Sequence, residues 1–272
     1  KTKNFLNKKL KNKIYFIKKK KESEEKYLNR ISDNFNGYII VIDKLYNYRK
    51  KEINDLKKKN EVIFIQNYSS GAKISNKIIF PDDHNFMQKK KNIYTGSKYL
   101  VLRDEISKIK KIENKNCLAV SFGGSDPYNL TIKIAKILKK INWKNKTIFF
   151  YGDAFKKKKN LIKVVKNNKN FKILRFDFKR LVNARLIISA FGVTTYEVAN
   201  FKTKNLVLFL NPKISLPDIS LFKSTKNLGY YNHLDLNKLK NIIFKQWNLI
   251  KKKNKINLRN NAKNEFLKII RN

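Results

Sequence analysis

One stretch limits what this chain can fold into: Cys117 to Ile141, reading Cys-Leu-Ala-Val-Ser-Phe-Gly-Gly-Ser-Asp-Pro and then Tyr-Asn-Leu-Thr-Ile-Lys-Ile-Ala-Lys-Ile-Leu-Lys-Lys-Ile. It opens on an apolar run of strand length, Cys117 to Phe122. Gly123 and Gly124 follow, where the backbone can turn sharply and admit a ligand closely. Asp126 is a good helix N-cap, and Pro127 suits a first helical position. Leu130, Ile134, Ile137, Leu138 and Ile141 then recur at helical spacing. The spacing predicts strand, glycine turn and helix, with unpaired N–H groups at the helix start. Such an end attracts anions, phosphate above all. The alternative is an ordinary tight βα turn with nothing bound, and the pattern alone leaves both open.

The same alternation recurs along the chain. Glu22 to Phe35 reads as a helix and Tyr38 to Ile42 as an apolar parallel strand covered on both sides. Arg49 to Lys59 reads as a helix, Glu61 to Ile65 and Lys77 to Phe80 as strands. Lys13 to Ile17 reads as an earlier strand. The opening lysine and the helical spacing of Phe5, Leu6 and Leu10 suit a chain that starts inside a helix, lacking an upstream strand and loop. Tyr99 to Arg103 is expected as a short strand after a polar crossing at 82–97. Strands at Thr147–Tyr151, Phe171–Leu174, Leu186–Ser189 and Leu206–Leu210 alternate with helices, and 215–232 reads as irregular. Helices at 236–249 and 258–270 finish the chain. The pattern divides into an N-terminal lobe over 1–97, a second lobe over 98–250 and a C-terminal helix over 251–272, each lobe α/β with a parallel sheet.

Composition excludes several classes. With 272 residues and 42% hydrophobic content the chain is globular, not a basic disordered tail. A single Cys117 and two histidines rule out a disulfide framework and give no structural zinc cluster. A reducing, cytoplasmic setting is expected. The formal charge of +44 invites a nucleic-acid reading. Its lysines are scattered through every segment, however, and no RNA-binding signature, zinc finger or basic zipper accompanies them, so no specific nucleic-acid partner is expected. Weak peripheral attraction to an anionic membrane remains physically reasonable.

A second glycine turn, Ala190-Phe-Gly-Val-Thr-Thr-Tyr-Glu-Val-Ala199, follows another strand of the same lobe. Ligands bind outside the carboxyl ends of strands in open α/β sheets, so Gly123–Gly124 and Gly192 are expected to face one crevice. Ser125, Thr194 and Thr195 add hydroxyls there. Thr194-x-x-Glu197 fits a capping box; the other reading of Glu197 is a carboxylate accepting ribose hydroxyls.

Ser121 to Pro127, followed by Asn129-Leu-Thr131, resembles the signature of the UDP-sugar hydrolases of pseudaminic acid biosynthesis and the related spore-coat polysaccharide proteins. Ser189 to Ala199 resembles that family's second motif, shared with family 28 glycosyltransferase C-terminal domains. Tyr99-Leu-Val-Leu-Arg103-Asp-Glu105 is similar to its segment entering the second lobe, and Tyr38–Asp43 and Phe64-Ile-Gln align with its first. The resemblance implies two Rossmann-like lobes of GT-B type, the N-terminal one here lacking its first strand and the glycine-histidine loop. It implies a UDP-sugar partner, no cofactor and no metal. Gly123, Gly124, Ser125 and Asp126 would then line the diphosphate or sugar side. Gly192, Val193, Thr194 and Thr195 would hold phosphates, Glu197 the ribose, and the Phe176–Phe178 loop (Phe176 and Phe178 included) the uracil. The implied activity is hydrolysis of a nucleotide-linked amino sugar with release of UDP. A GT-B glycosyltransferase and an inactive nucleotide-sugar-binding fragment are the alternatives. The family's Gly-x-Gly-His motif does not occur, nor is its Asn-Gln step evident at Asp218–Ser220. His84 reads as a surface-loop residue and His233 as structural or exposed, so no catalytic residue is assigned.

Overall fold

The computed structural model describes residues 21–44, 46–81, 91–109, 115–201, 203–210, 224–249 and 262–271. The expected strand at Lys13–Ile17, the helix at residues 5–10, His84 and Asp218–Ser220 lie outside them. Two compact units emerge: the described residues up to Phe80 with those just before Thr95, and Pro81 with everything described from Thr95 onward.

The first unit runs α1 (Glu24–Asn34), β1 (Ile39–Ile42), α2 (Lys50–Lys57), β2 (Glu61–Ile65), β3 (Lys77–Phe80) and β4 (Ile93–Thr95). Its sheet has the order β1-β2-β3-β4, with β1, β2 and β3 parallel. Ser23 caps α1 by accepting from Lys26 N–H at 3.2 Å. The buried Glu24 is held by Lys44 and the Tyr48 hydroxyl. Burial and that carboxylate push the Tyr48 hydroxyl pKa far up. The β1 run is not covered on both sides: Ile39 and Val41 are 43% and 46% exposed. It forms an edge of the described sheet, and only the Ile40–Ile42 side is half-buried.

The second unit runs α3 (Glu105–Lys108), β5 (Lys115–Ser121), α4 (Leu130–Lys140), β6 (Thr147–Tyr151), α5 (Lys158–Val165), β7 (Phe171–Arg175), α6 (Phe178–Val182), β8 (Ala184–Ala190), α7 (Val193–Ala199), β9 (Lys204–Phe209), β10 (Thr225–Tyr230), α8 (Leu236–Asn248) and α9 (Ala262–Arg271). Its sheet order is β10-β9-β8-β5-β6-β7, every neighbouring pair parallel. In chain order that is 6-5-4-1-2-3, the doubly wound arrangement whose switch point falls between the first strand, β5, and the fourth, β8.

Alternation within the central strands feeds two cores. Leu118, Val120, Leu186, Ile188, Leu206 and Leu208 pack with Leu130, Ile134, Leu161 and Ile243 from α4, α5 and α8. Cys117, Ala119 and Ile187 turn to the other face, against Phe178, Leu181, Val198 and Phe201. Burial on both faces is why these strands read as continuous apolar runs. The carbonyl end of α8 is received by cations: Arg185 Nε donates to Trp247 O at 2.9 Å, and Lys204 to Gln246 O and Leu249 O. Desolvation, then the neighbouring Arg185, lower the Lys204 pKa.

Two further expectations change. Tyr99–Arg103 is not a strand; a 3-10 turn over Ser97–Tyr99 leads into irregular backbone. The segment called irregular contains β10, which pairs with β9 and bulges between Asn227 and Tyr230, with Gly229 at φ +83°.

Candidate functional site

Both glycine turns leave neighbouring strands at the switch point. Ser121 of β5 and Ser189 of β8 are register partners, so Gly123–Ser125 and Gly192–Thr194 start side by side at the carboxyl end of the sheet. Gly123, Gly124, Ser125 and Val193 are exposed, and Gly192 and Thr194 half-buried. Gly123 needs its glycine, because φ is +81°. Among the described residues nothing accepts a hydrogen bond from the N–H groups of Gly123, Gly124 or Ser125.

The start of α4 differs from the expectation. Its first residue is Leu130, three positions beyond Pro127, which lies in the preceding turn. Asp126 is buried, not presented to a ligand. Its two carboxylate oxygens accept from Leu130 N–H and Thr131 N–H, each at 2.8 Å. The helix's leading amides are therefore already bound to an anion, the chain's own. Asp126→Ala is expected to cost about 1–3 kcal/mol, since it strips two buried donors of their acceptor. Chemical denaturation checks it.

Thr195 is also turned inward. It is fully buried, its N–H donates to Gly192 O at 2.9 Å and its hydroxyl approaches Ala190 O at 3.5 Å. Thr194 and Val193 remain the outward residues of that turn.

Glu197 does not close a capping box. It is 1% exposed, and its Oε1 accepts from Arg103 N–H at 3.1 Å and Arg103 Nε at 2.8 Å. Oε2 is buried with no hydrogen-bond partner among the described residues. The Arg103 guanidinium carbon lies 4.4 Å from the Phe178 ring centre and 5.2 Å from that of Phe176. In the Phe176–Phe178 loop, expected to read a base through its backbone, the Phe176 N–H donates to Tyr151 O at 2.9 Å. The two rings of that loop grip an arginine, and Asp177 caps α6 through Arg180 N–H.

Two further residues shape the site without having been singled out from the sequence. Arg103 stood in a quoted motif but carried no role; its signal was one cation closing an apolar run. Gly152, after β6, abuts the diglycine turn: a Cβ there would lie 2.4 Å from Gly124 Cα. His233 is exposed and contacts the Tyr230 ring edge-on at 6.2 Å between centres. Among the described residues no group of His, Cys, Asp and Glu side chains is placed to hold a metal ion, and no helix is long and apolar enough to cross a membrane.

Fold and strand order define a doubly wound parallel α/β unit. Comparison with known proteins narrows the fold. No family model matches the chain. An uncharacterized protein of Methanocaldococcus jannaschii, MJ1062, is 31% identical over 161 residues, covering 52% of this chain; the match spans only 31% of that protein. Among solved structures, UDP-GlcNAc 2-epimerase from Neisseria meningitidis bound to UDP-GlcNAc superposes with a TM-score of 0.64 at 11% identity, over 99% of this chain and 88% of that one. The M. jannaschii UDP-GlcNAc 2-epimerase in complex with UDP-GlcNAc and UDP gives 0.60 at 13% identity, over 90% and 78%. MurG of Acinetobacter baumannii gives 0.50 at 13% identity, over 82% and 67%. At such identities the likeness is one of fold: two parallel-sheet α/β domains of GT-B type.

Proposed function

We propose that the second unit binds a UDP-linked sugar and that the protein is an enzyme releasing UDP from it. The observation that carries this reading is Glu197 Oε2. A buried carboxylate oxygen without a donor costs about 1–3 kcal/mol, and it sits on the first helix after β8, beside the switch point where such sheets take ligands. A ribose supplies two hydroxyl donors to such an oxygen. The exposed backbone of Gly123–Ser125 and the partly exposed backbone of Gly192–Thr194 then face the diphosphate. Their N–H groups stabilise the charge that grows on departing UDP.

The Ser121–Pro127 motif supports hydrolysis of a nucleotide-linked amino sugar, of the kind used for surface polysaccharide or pseudaminic-type acids. Transfer to an acceptor hydroxyl is the second reading. It is favoured by the +44 charge, which draws the chain to an acceptor held at an anionic surface. Both use the same leaving-group site, and no histidine is assigned as the base. Calorimetric titration with UDP is expected to show saturable binding; its absence in folded protein overturns the proposal. Incubation with a UDP-amino sugar separates the chemistries. Free sugar without acceptor marks hydrolysis, and product only with acceptor marks transfer.

A further inference from the structure

Arg103 reaches Glu197 from far away in sequence, and everything around it restrains it. Leu100 and Leu102, 3% and 4% exposed, are pinned in a cluster with Tyr196, Ala199, Val207 and Phe209, while Val101 between them is 44% exposed. This alternation anchors the backbone that leads to Arg103, so its N–H and its Nε converge on one oxygen of Glu197. The rings that cover the guanidinium are themselves fixed: Phe178 meets Phe201 edge-on at 5.8 Å, and Phe176 meets Phe150 at 6.1 Å. With Oε1 doubly donated, Oε2 is the carboxylate oxygen left without a donor among the described residues.

We infer that Arg103 is the positioning residue of the site: it dedicates Glu197 Oε2 to a vicinal diol and so sets the preference for ribose over a sugar lacking the 2′ and 3′ hydroxyls. This rests on the nucleotide-sugar reading above. Arginine is needed because a planar guanidinium donates through Nε while stacking on two rings. A lysine ammonium is a point charge without that face.

The test compares UDP with 2′,3′-dideoxyuridine diphosphate by calorimetry on wild type, Arg103→Met and Arg103→Lys, each checked for folding by circular dichroism. Wild type is expected to prefer UDP by about tenfold or more, the worth of a hydrogen bond to a charged group. In both variants the preference falls toward unity, because UDP binding weakens while the dideoxy analogue holds. A merely structural arginine would weaken both ligands by the same factor and keep the ratio, which overturns the inference. Should Arg103→Met fail to fold, Arg103→Lys decides by the same ratio. Wild type binding both nucleotides equally overturns the role of Arg103 and leaves nucleotide binding standing. Wild type binding neither removes both.

Discussion

Glu197→Gln is expected to lower UDP affinity about 10- to 100-fold, the equivalent of about 1.5–3 kcal/mol for a hydrogen bond to a charged group. Glutamine keeps the shape and lets its amide oxygen accept from Arg103, whose N–H and Nε lie 3.1 and 2.8 Å from the present Oε1. The second position then becomes an NH2 group, which can only donate to a ribose hydroxyl oxygen, and the charge-assisted bond to a carboxylate is lost. Folding suffers less than binding. Arg103 loses a charged partner, but its side chain is 31% exposed and water reaches part of it. Calorimetry with UDP measures the first effect and denaturant titration the second. An unchanged UDP affinity would remove Glu197 from the site.

Gly152→Ala carries the other large effect, on stability and site together. The added Cβ would stand 2.4 Å from Gly124 Cα, 2.5 Å from Gly124 O and 2.8 Å from Gly124 C. All three are backbone atoms, so no side chain can rotate away, and the diglycine turn itself has to move. A cost of about 3 kcal/mol is expected, at the upper end of what overpacking produces. UDP binding should fall with it as the Gly123–Ser125 loop shifts. Gly124→Ala is the control, because its own Cβ would meet nothing within 4 Å. Its melting temperature should stay near that of wild type. Two glycines in mutual contact thus differ sharply in tolerance, and paired thermal melts test it directly.

Much of both units was legible in the sequence. The strands at Thr147–Tyr151 and Glu61–Ile65 and both glycine turns lie where apolar periodicity and turn residues put them. The strand β10 was not legible. Thr-Lys-Asn-Leu-Gly-Tyr has no apolar period, and only pairing with β9, corrected by a bulge at Gly229, makes it a strand. Asp126 shows the same boundary at finer scale. Its type marked the start of a helix, yet the sequence could not say that its carboxylate fills the very amides a phosphate was expected to use.

By itself, then, the chain's order of residues determined the alternation of strands and helices, the placing of two glycine turns after parallel strands, and Glu197 as a carboxylate worth watching. Those depend on neighbours within a turn or two, where period and capping act. Tertiary structure decided which groups are satisfied. It brought Arg103 to Glu197 across 94 residues, left one carboxylate oxygen empty and set Gly152 against Gly124. Hydrogen-bond partners and close backbone contacts are made between elements, and no local pattern encodes which element arrives.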